Sequence, residues 1–375
     1  MKREEFYKKS ITILLLAIVL MGCILWEGVF SRNLSKEAST TASAQESATL
    51  PATTSGIRGA WVSFGDYEGA GLYNKSEEEF TKNADKYFKK LKNDGINTLY
   101  FHAVPCNDAI YPSKYLKWTH YMFESAPDYD PMEILIDTAH KHGMTFHAWL
   151  NPYRKKVGVI FNPGKASSQK RIVRIVKEII ENYEVDGIHF DDYFYPAKSR
   201  GQQFHKVPIK KRKKVINAMV KKVYQTVKKQ DENLLFGISP AGNIEYAESL
   251  GCDLDSWLSK DGYMDYIVPQ IYWSDQYRVG RKTVTMYSNR LNKWTKLNQN
   301  DMPMFIGLAL YRAGSYDSSD LGWYRKNNNL VTQIKKLDKK GCEGYVLFSS
   351  TYLYKKETKK EVKKYRNYIR NLENL

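Results

Sequence analysis

The chain of 375 residues is 42% hydrophobic and 14% aromatic, which supplies ample material for a large buried core. Its four cysteines, with no CxxC spacing among them, exclude a disulfide framework or a zinc ribbon, although one bridge between Cys106 and Cys252 stays open. The formal charge of +17 comes from Lys and Arg spread over several predicted helices, a distribution typical of solvated outer faces.

Residues 1–30 are predicted to be an export signal. Four basic residues among the first nine precede an apolar run over 11–26, the order found in signal peptides. The run is shorter than the roughly 18 to 20 residues of a comfortable transmembrane helix. It contains Leu20-Met21-Gly22-Cys23, which resembles a bacterial lipobox and predicts lipidation at Cys23. An uncleaved signal anchor is the alternative, because the apolar run continues past Cys23.

Residues 31–56 are rich in Ser, Thr and Ala and carry almost nothing to bury, so they are predicted to be a disordered linker. Either form of the N-terminus places the rest of the chain outside the cytoplasm, attached to the cell membrane by a lipid or a helix. Export argues against nucleic acid as a partner. We therefore expect the positive charge to favour anionic cell-wall polymers or lipid headgroups.

From residue 57 onward, strand-like apolar runs alternate with helical patterns eight times. Several runs are continuously hydrophobic, as parallel strands covered on both sides should be. The predicted strands are 57–64, 96–104, 144–150, 185–191, 234–239, 266–272, 304–310 and 345–349. We therefore predict an α/β fold, a single (β/α)₈ TIM barrel over residues 57–375. Pro269 would remove a ladder hydrogen bond from the sixth strand, so we expect a bulge there.

Start and stop signals mark the predicted helices between these strands. Ser76 with Glu79 predicts a capping box, and Asp130 with Pro131 predicts a second helix start. Gly95 predicts the end of the first of these helices. These signals support the alternation of strands and helices.

The stretch 185–196 holds the most informative polar residues. In such a barrel the active site lies where the strands run into their loops, and Asp191 and Asp192 end the fourth predicted strand. His189 and Asp191 share one face, whereas Asp192 points elsewhere unless the strand has already ended. Burying two neighbouring carboxylates without purpose would be costly. The alternative is that one of them caps the following loop.

Other polar and aromatic residues at strand ends are candidate substrate contacts. His147 has an alternative interpretation as a satisfied interior histidine, and Arg154 pairs either with a site carboxylate or with the substrate. Trp273 is the best predicted platform for stacking on a sugar, with core packing as its alternative. The candidate substrate-binding residues are His102, Asp108, His147, Asn151, Arg154, His189, Tyr193, Asn243, Gln270, Tyr272, Trp273 and Tyr311.

Motifs at successive strand ends resemble those of the glycosyl-hydrolase-like family 10. These motifs are Gly59-Ala60-Trp61-Val62, the stretch from His102 through Tyr111-Pro112-Ser113, the stretches 147–154 and 187–196, Ile238-Ser239-Pro240, and the stretch 265–273. The resemblance covers essentially the whole chain after the linker, and it implies a barrel glycosidase that is secreted or lipid-anchored. The chain departs from the family at 241–245, where Ala-Gly-Asn-Ile-Glu replaces the usual Trp-Arg-Asn element, so substrate contacts on that loop differ.

The resemblance implies hydrolysis of O-glycosidic bonds in a cell-surface or extracellular polysaccharide. Two carboxyl groups would act around an oxocarbenium-like transition state. Related retaining barrel glycosidases carry a nucleophilic Asp at the end of strand four with a polar residue two positions earlier, and His189 and Asp191 match that pattern. We expect Asp191 to be the nucleophile or base and Glu245, Asp275 or Asp192 to be the proton donor.

Two alternative functions remain at this point. His102, His147, His189 and Asp191 are ligand types that would suit a metal-dependent hydrolase or deacetylase, although no HxH or HExxH pair supports it and we expect neither a metal nor a cofactor. The other alternative is a non-catalytic, wall-bound barrel that binds carbohydrate through its aromatic residues without cleaving it.

Overall fold

Eight parallel strands form the centre of the molecule. The computed structural model describes residues 56–196 and 203–373, so the predicted signal and lipidation site, and the linker apart from Gly56, lie outside the described residues. The barrel strands are β1 (Ile57–Val62), β2 (Thr98–Val104), β3 (Thr145–Leu150), β4 (Gly187–Asp191), β5 (Leu235–Ser239), β6 (Tyr266–Ile267), β7 (Phe305–Leu308) and β8 (Gly344–Leu347). All eight predicted strands are confirmed.

The strands pair in a ring, with the order β6-β5-β4-β3-β2-β1-β8-β7 in one parallel sheet. Isolated bridges from Ile267 to Met304 and from Gln270 to Gly307 join the two ends of this sheet. The (β/α)₈ barrel is therefore confirmed, and the carboxyl ends of its strands meet at one rim.

Pro269 interrupts the sixth strand. The regular ladder ends at Ile267, and pairing resumes at Gln270, which bridges both Ala241 and Gly307. The carbonyl of Pro269 still accepts a hydrogen bond from the Gly307 amide at 2.9 Å. We expected a bulge here. The structure shows a gap in the ladder, which has the same cause, because proline has no amide hydrogen to donate.

Helices surround the barrel. They are α1 (Glu77–Asn93), α2 (Pro131–Lys141), α3 (Ala166–Asn182), α4 (Ile209–Gln230), α5 (Ile244–Leu250), α6 (Leu254–Trp257), α7 (Met286–Leu297), α8 (Gly322–Arg325), α9 (Asn329–Asp338) and α10 (Lys359–Glu373). The predicted caps are confirmed, since Ser76 accepts a hydrogen bond from the Glu79 amide at 3.4 Å and Asp130 accepts one from the Met132 amide at 2.9 Å. Among the described residues, no helix is both long and apolar enough to span a membrane.

Shorter elements decorate the rim. An antiparallel hairpin pairs Tyr277–Val279 with Lys282–Val284, and another pairs Arg154–Lys156 with Val159–Ile160. A short parallel pair joins Asp108–Ala109 to Lys117–Trp118, and two 3₁₀ turns cover Leu310–Arg312 and Ser350–Leu353. Cys106 and Cys252 are both buried free thiols, so the bridge between them that the sequence left open is not formed.

Candidate active site

Asp191 is the last residue of β4, and its carboxylate faces the barrel rim. The side chain is 8% exposed. Its Oδ1 accepts hydrogen bonds from the Gln270 Nε2 atom at 3.1 Å and from the Asp192 backbone amide at 2.9 Å. Gln270 comes from the sixth strand and also donates to the Ser239 carbonyl at 2.9 Å. Contacts from the residue after β4 and from Gln270, which follows β6, therefore fix the Asp191 carboxylate in position.

Asp192 lies beside Asp191 because β4 ends at Asp191. The first residue beyond the strand is free of the alternation that would have turned it to the opposite face. Its Oδ2 accepts a hydrogen bond from the Ala241 amide at 2.8 Å, and its carboxyl group interacts directly with that of Asp191. The expectation that Asp192 points elsewhere held only for a longer strand, and the structure brings the two side chains together.

Burial raises the pKa of both carboxyl groups in this pair, so they hold protons at pH values where exposed carboxyl groups are ionised. Desolvation raises the pKa of Asp191 to about 6, although the Asp192 amide, the Arg154 charge and Gln270 all oppose the rise. Desolvation and then the charge of Asp191 raise the pKa of Asp192 well above its ordinary value. Two carboxyls in contact cannot both ionise cheaply, so the pair holds one proton while the other member is charged.

Arg154 supplies a positive charge that acts on this pair. It is buried, and its guanidinium lies over the Tyr193 ring at 4.2 Å and near the Phe64 ring at 5.7 Å. Its charge lowers the pKa of Asp191 against the effect of burial. The sequence left open whether Arg154 meets a carboxylate or the substrate, and its electrostatic interaction with Asp191 supports the first.

A set of buried polar atoms at the ends of β2 and β3 has no protein partner. They are His102 Nδ1, Trp149 Nε1, Asn151 Oδ1 and Arg154 Nε. His102 stacks on Trp149 with ring centroids 3.7 Å apart, and its Nε2 lies 3.0 Å from Asn151 Nδ2. Buried polar atoms normally find partners, so this cluster has donors and acceptors left for a polar ligand.

His147 and His189 lie deeper in the barrel, below the carboxyl pair. The two rings share the Tyr266 hydroxyl, at 2.9 Å from His147 Nδ1 and 3.1 Å from His189 Nδ1. Trp61 Nε1 lies 3.3 Å from His189 Nε2. Burial lowers the pKa of His147 to about 4 and that of His189 well below its ordinary value, so both are neutral. Surrounding side chains enclose both rings, which favours the interior alternative for His147, although its Nε2 atom has no protein partner. Contact of either ring with substrate stays a prediction.

The loop after β6 corrects two further expectations. Trp273 is 3% exposed and packs under the Arg290 guanidinium of α7 at 4.9 Å, so it belongs to the core and is not a stacking platform. Asp275 accepts hydrogen bonds from Ser288 and forms an ion pair with Lys336, so its carboxylate is not available as the proton donor.

The remaining four candidates follow three different strands, β2, β5 and β7. Asn243 is buried as the N-cap of α5, where its side chain accepts a hydrogen bond from the Tyr246 amide at 3.4 Å, and Glu245 is exposed on the first turn of that helix. Asp108 accepts a hydrogen bond from the Cys106 amide at 3.0 Å. Tyr311 is half-buried, with its ring centroid 5.9 Å from that of Tyr272.

Sequence reasoning missed Asp66, which follows β1. This buried carboxylate accepts hydrogen bonds from the Ser63 amide at 2.8 Å, from the Ser63 hydroxyl at 2.7 Å and from the Ser349 hydroxyl at 2.8 Å, with a fourth from Thr351. It therefore ties the loop after β1 to the loop after β8. The signal was its place just beyond a strand end, but its partners lie far along the chain.

The four residues that suggested a metal site do not converge. His147 and His189 bind Tyr266, His102 stacks on Trp149, and Asp191 binds Gln270. Throughout the residues that the structure describes, no three His, Cys, Asp or Glu side chains are grouped as metal ligands.

A (β/α)₈ barrel with acidic side chains at the carboxyl ends of its strands is an arrangement that barrel glycosidases share. The chain belongs to the family described as Glycosyl hydrolase-like 10, whose sequence model matches residues 56–159 and 154–325. Among curated proteins, glycosyl hydrolase DigH of Escherichia coli K12 is 29% identical over 343 residues, covering 72% of this chain and 76% of DigH. Glycosyl hydrolase YngK of Bacillus subtilis 168 is 28% identical over 298 residues, covering 64% of this chain and 56% of YngK.

Among solved structures, the glycoside hydrolase domain of PgaB (BpsB) from Bordetella bronchiseptica is similar to this chain. The TM-score is 0.55 at 11% identity, and the match covers 78% of this chain and 96% of that domain. At this identity the similarity bears on the barrel fold alone. The resemblance to the family, on which the sequence prediction rested, is confirmed.

Proposed function

We propose that this protein hydrolyses O-glycosidic bonds in a cell-surface or extracellular polysaccharide, with Asp191 and Asp192 carrying the chemistry. The observation that carries the proposal is a pair of adjacent carboxyl groups at the end of β4, Asp191 buried and Asp192 half-buried, each of which shifts the pKa of the other. Glycoside hydrolysis needs one carboxyl that keeps a proton and one that is ionised. Membership of a glycosyl-hydrolase-like family supports the same reaction.

Asp192 is the proposed proton donor. Its pKa is raised both by burial and by the charge of Asp191, so it keeps its proton to a higher pH than an exposed carboxyl group does. It would transfer this proton to the glycosidic oxygen as the bond to the anomeric carbon breaks, which turns a poor leaving group into an alcohol. Asp275, which we also considered, is bound to Lys336.

Asp191 is the proposed nucleophile or base. The hydrogen bonds from Gln270 and from the Asp192 amide stabilise its ionised form, and the Arg154 charge does the same. The carboxylate would then either attack the anomeric carbon or activate a water molecule, and in both cases it opposes the positive charge of the transition state.

Because the two carboxyl groups interact directly, their spacing constrains the assignment of acid and nucleophile. Acid and nucleophile stand about 5 to 5.5 Å apart in retaining glycosidases, and acid and base about 6.5 to 9.5 Å apart in inverting ones. A bound sugar would have to enter between Asp191 and Asp192 and separate them. Glu245, exposed on α5, is the alternative donor. Comparing Asp192→Asn with Glu245→Gln decides between them, since only the true donor variant loses the alkaline limb of the pH profile.

We further propose that the protein acts outside the cytoplasm, attached to the membrane through residues 1–30. The basic region, the apolar run and Cys23 support this. Helix α4 supports an attraction to anionic wall polymers or lipid headgroups, because it carries nine Lys or Arg residues and no acidic residue. Its exposed cations are Lys210, Lys211, Lys214, Lys221, Lys222 and Lys229.

The experiment that tests the reaction measures new reducing ends after incubation with soluble glycol chitosan, hydroxyethyl cellulose, xylan and polygalacturonate. We expect the wild-type protein to release reducing ends from at least one polymer and Asp191→Asn to release none above background. Binding of a polymer without any release by the wild-type protein would favour the non-catalytic alternative. Equal release by both proteins would contradict the assignment of Asp191.

A further inference from the structure

The most exposed large hydrophobic side chains in the described part of the chain lie on two neighbouring segments, which follow β6 and β7. Tyr316 is 70% exposed, Tyr324 is 58% exposed and Val279 is 55% exposed. The two tyrosine rings meet edge to face with centroids 5.5 Å apart. Tyr316 and Tyr324 follow β7, and Val279 is in the hairpin that follows β6. We call these three side chains, two aromatic and one aliphatic, the rim aromatic surface.

Buried polar contacts hold this surface in place. The Arg278 amide donates to the Ser319 carbonyl at 2.7 Å, which joins the hairpin after β6 to the loop after β7. Asp320 is fully buried and accepts hydrogen bonds from the Ser274 amide at 2.9 Å and from the Ser274 hydroxyl. A Cβ at Gly322 would lie 2.0 Å from the Ser274 hydroxyl oxygen, so only glycine allows the two loops to approach this closely.

Asp317 fixes the segment next to Tyr316 in the same way. It accepts hydrogen bonds from the Ser319 amide at 2.8 Å and from the Ser319 hydroxyl at 2.7 Å, and it forms an ion pair with Arg312. Exposed tyrosines on a segment fixed by the buried Asp320 and the half-buried Asp317 are ordered before any ligand arrives. Preordering of this kind lowers the entropic cost of binding.

Packed residues connect the rim aromatic surface to the candidate active site. Gln270, which binds Asp191, is followed by Tyr272, whose ring centroid is 5.9 Å from that of Tyr311. Arg312 donates to the Tyr272 carbonyl at 3.4 Å and pairs with Asp317. The path from Asp191 to Tyr316 therefore runs through contacting residues of the sixth and seventh strand ends.

We propose that the rim aromatic surface binds sugar units of the same polysaccharide at a distance from the bond that is cleaved. Tyrosine offers a flat apolar face with a polar edge, which matches the carbon–hydrogen face of a pyranose ring and its hydroxyls. The inference rests on the proposed function for the identity of its ligand. It replaces Trp273 with Tyr316 and Tyr324 as the stacking residues, and it favours long chains over short fragments as substrates.

The test compares wild-type protein, Tyr316→Ala/Tyr324→Ala, and Tyr115→Ala as the matched control. Tyr115 is also an exposed tyrosine, but it packs against Arg174 of α3, away from this surface. On a polymer that the wild type cleaves, we expect the double variant to raise KM about tenfold with kcat unchanged, because two stacking contacts are lost. Activity on a nitrophenyl glycoside of the same sugar should stay at the wild-type level, and so should the control.

A polymer KM equal to that of the wild type, or an equal loss on the small glycoside, would overturn the proposal. A second measurement separates this outcome from failure of the proposed reaction. In native gels that contain glycol chitosan, hydroxyethyl cellulose, xylan or polygalacturonate, wild type should be retarded by at least one polymer and the double variant less so. This comparison needs no turnover. Equal retardation of both proteins, or none of the wild type, counts against the surface, while thermal melting confirms that the variants fold.

Discussion

The polar residues inside the barrel and those at its rim come from the same strands yet differ in what they can do. His189 and Asp191 both face inward from β4, two residues apart. His189 is enclosed by Trp61, Ser239 and Tyr266, and its pKa is lowered so that it is neutral. Asp191 ends the strand, beside Asp192 and the partnerless atoms of its neighbours. The position of a residue along β4 therefore decides whether its side chain packs in the barrel interior or faces the candidate active site.

The largest expected effect on turnover comes from removing the negative charge of Asp191 at the barrel rim. Asp191→Asn should lower kcat by about a thousandfold or more, because the transition state loses its carboxylate while the hydrogen-bonding shape is kept. Reducing-end release under saturating polymer measures this. Asp275→Asn is the matched control and should keep wild-type turnover, although it loses the ion pair with Lys336. Comparable losses of turnover in both variants would contradict the distinction between the candidate active site and the loop that carries Asp275.

Asp192→Asn should have the next largest effect. Loss of a positioned proton donor lowers turnover by about a hundredfold to ten-thousandfold for a poor leaving group. A glycoside with an activated leaving group, such as nitrophenolate, needs less protonation and should be affected far less. Equal losses on both substrates would show that Asp192 serves the fold or binding, and would return Glu245 to consideration as the donor.

Stability should respond to pH in the opposite direction from activity. The pKa of Asp191 rises from 3.8 to about 6 on folding, so its contribution to stability is complete below pH 3.8 and is lost as pH rises through about 6. That loss corresponds to about 3 kcal/mol. The free energy of unfolding of wild type, relative to Asp191→Asn, should therefore fall between pH 4 and pH 7. A constant difference across this range would contradict the raised pKa.

The interior should show the smallest effect on turnover and a clear effect on stability. His147→Gln separates the Tyr266 hydroxyl from one of its partners, which should lower the free energy of unfolding by about 1 to 3 kcal/mol. Turnover should stay within about threefold of wild type, since the carboxyl pair is untouched. Chemical denaturation and steady-state kinetics measure the two quantities. A large loss of turnover with unchanged stability would place His147 in the chemistry instead.

The barrel could be predicted from sequence because each strand is a local apolar run with its own start and stop signals. The candidate carboxylates could be predicted for the same reason, since Asp191 and Asp192 directly follow such a run. The contact between them could not, because it depends on whether β4 ends at Asp191 or one residue later. Asp275 could not be excluded either, since Lys336 lies 61 positions away along the chain.

Trp273 and Tyr316 show the two kinds of error that remained. The prediction for Trp273 rested on residue type alone, although this residue lies beyond the predicted strand 266–272, where alternation no longer fixes the direction of a side chain. Tyr316 and Tyr324 gave no comparable signal. Tyr316 lies in the loop after β7 and Tyr324 in the four-residue helix α8, and neither segment has a periodic pattern. The position of this segment depends on Asp320, which binds Ser274, 46 positions away along the chain.

The pH dependence of kcat/KM tests the coupled carboxyl pair most directly, because it reports the ionisations of the free enzyme. For the wild type we predict a bell-shaped profile whose acidic limb lies near pH 6, where Asp191 becomes protonated and loses its charge. The alkaline limb should follow the loss of the Asp192 proton and should vanish in Asp192→Asn. A profile without an ionisation near pH 6, or an alkaline limb that persists in Asp192→Asn, would contradict the account.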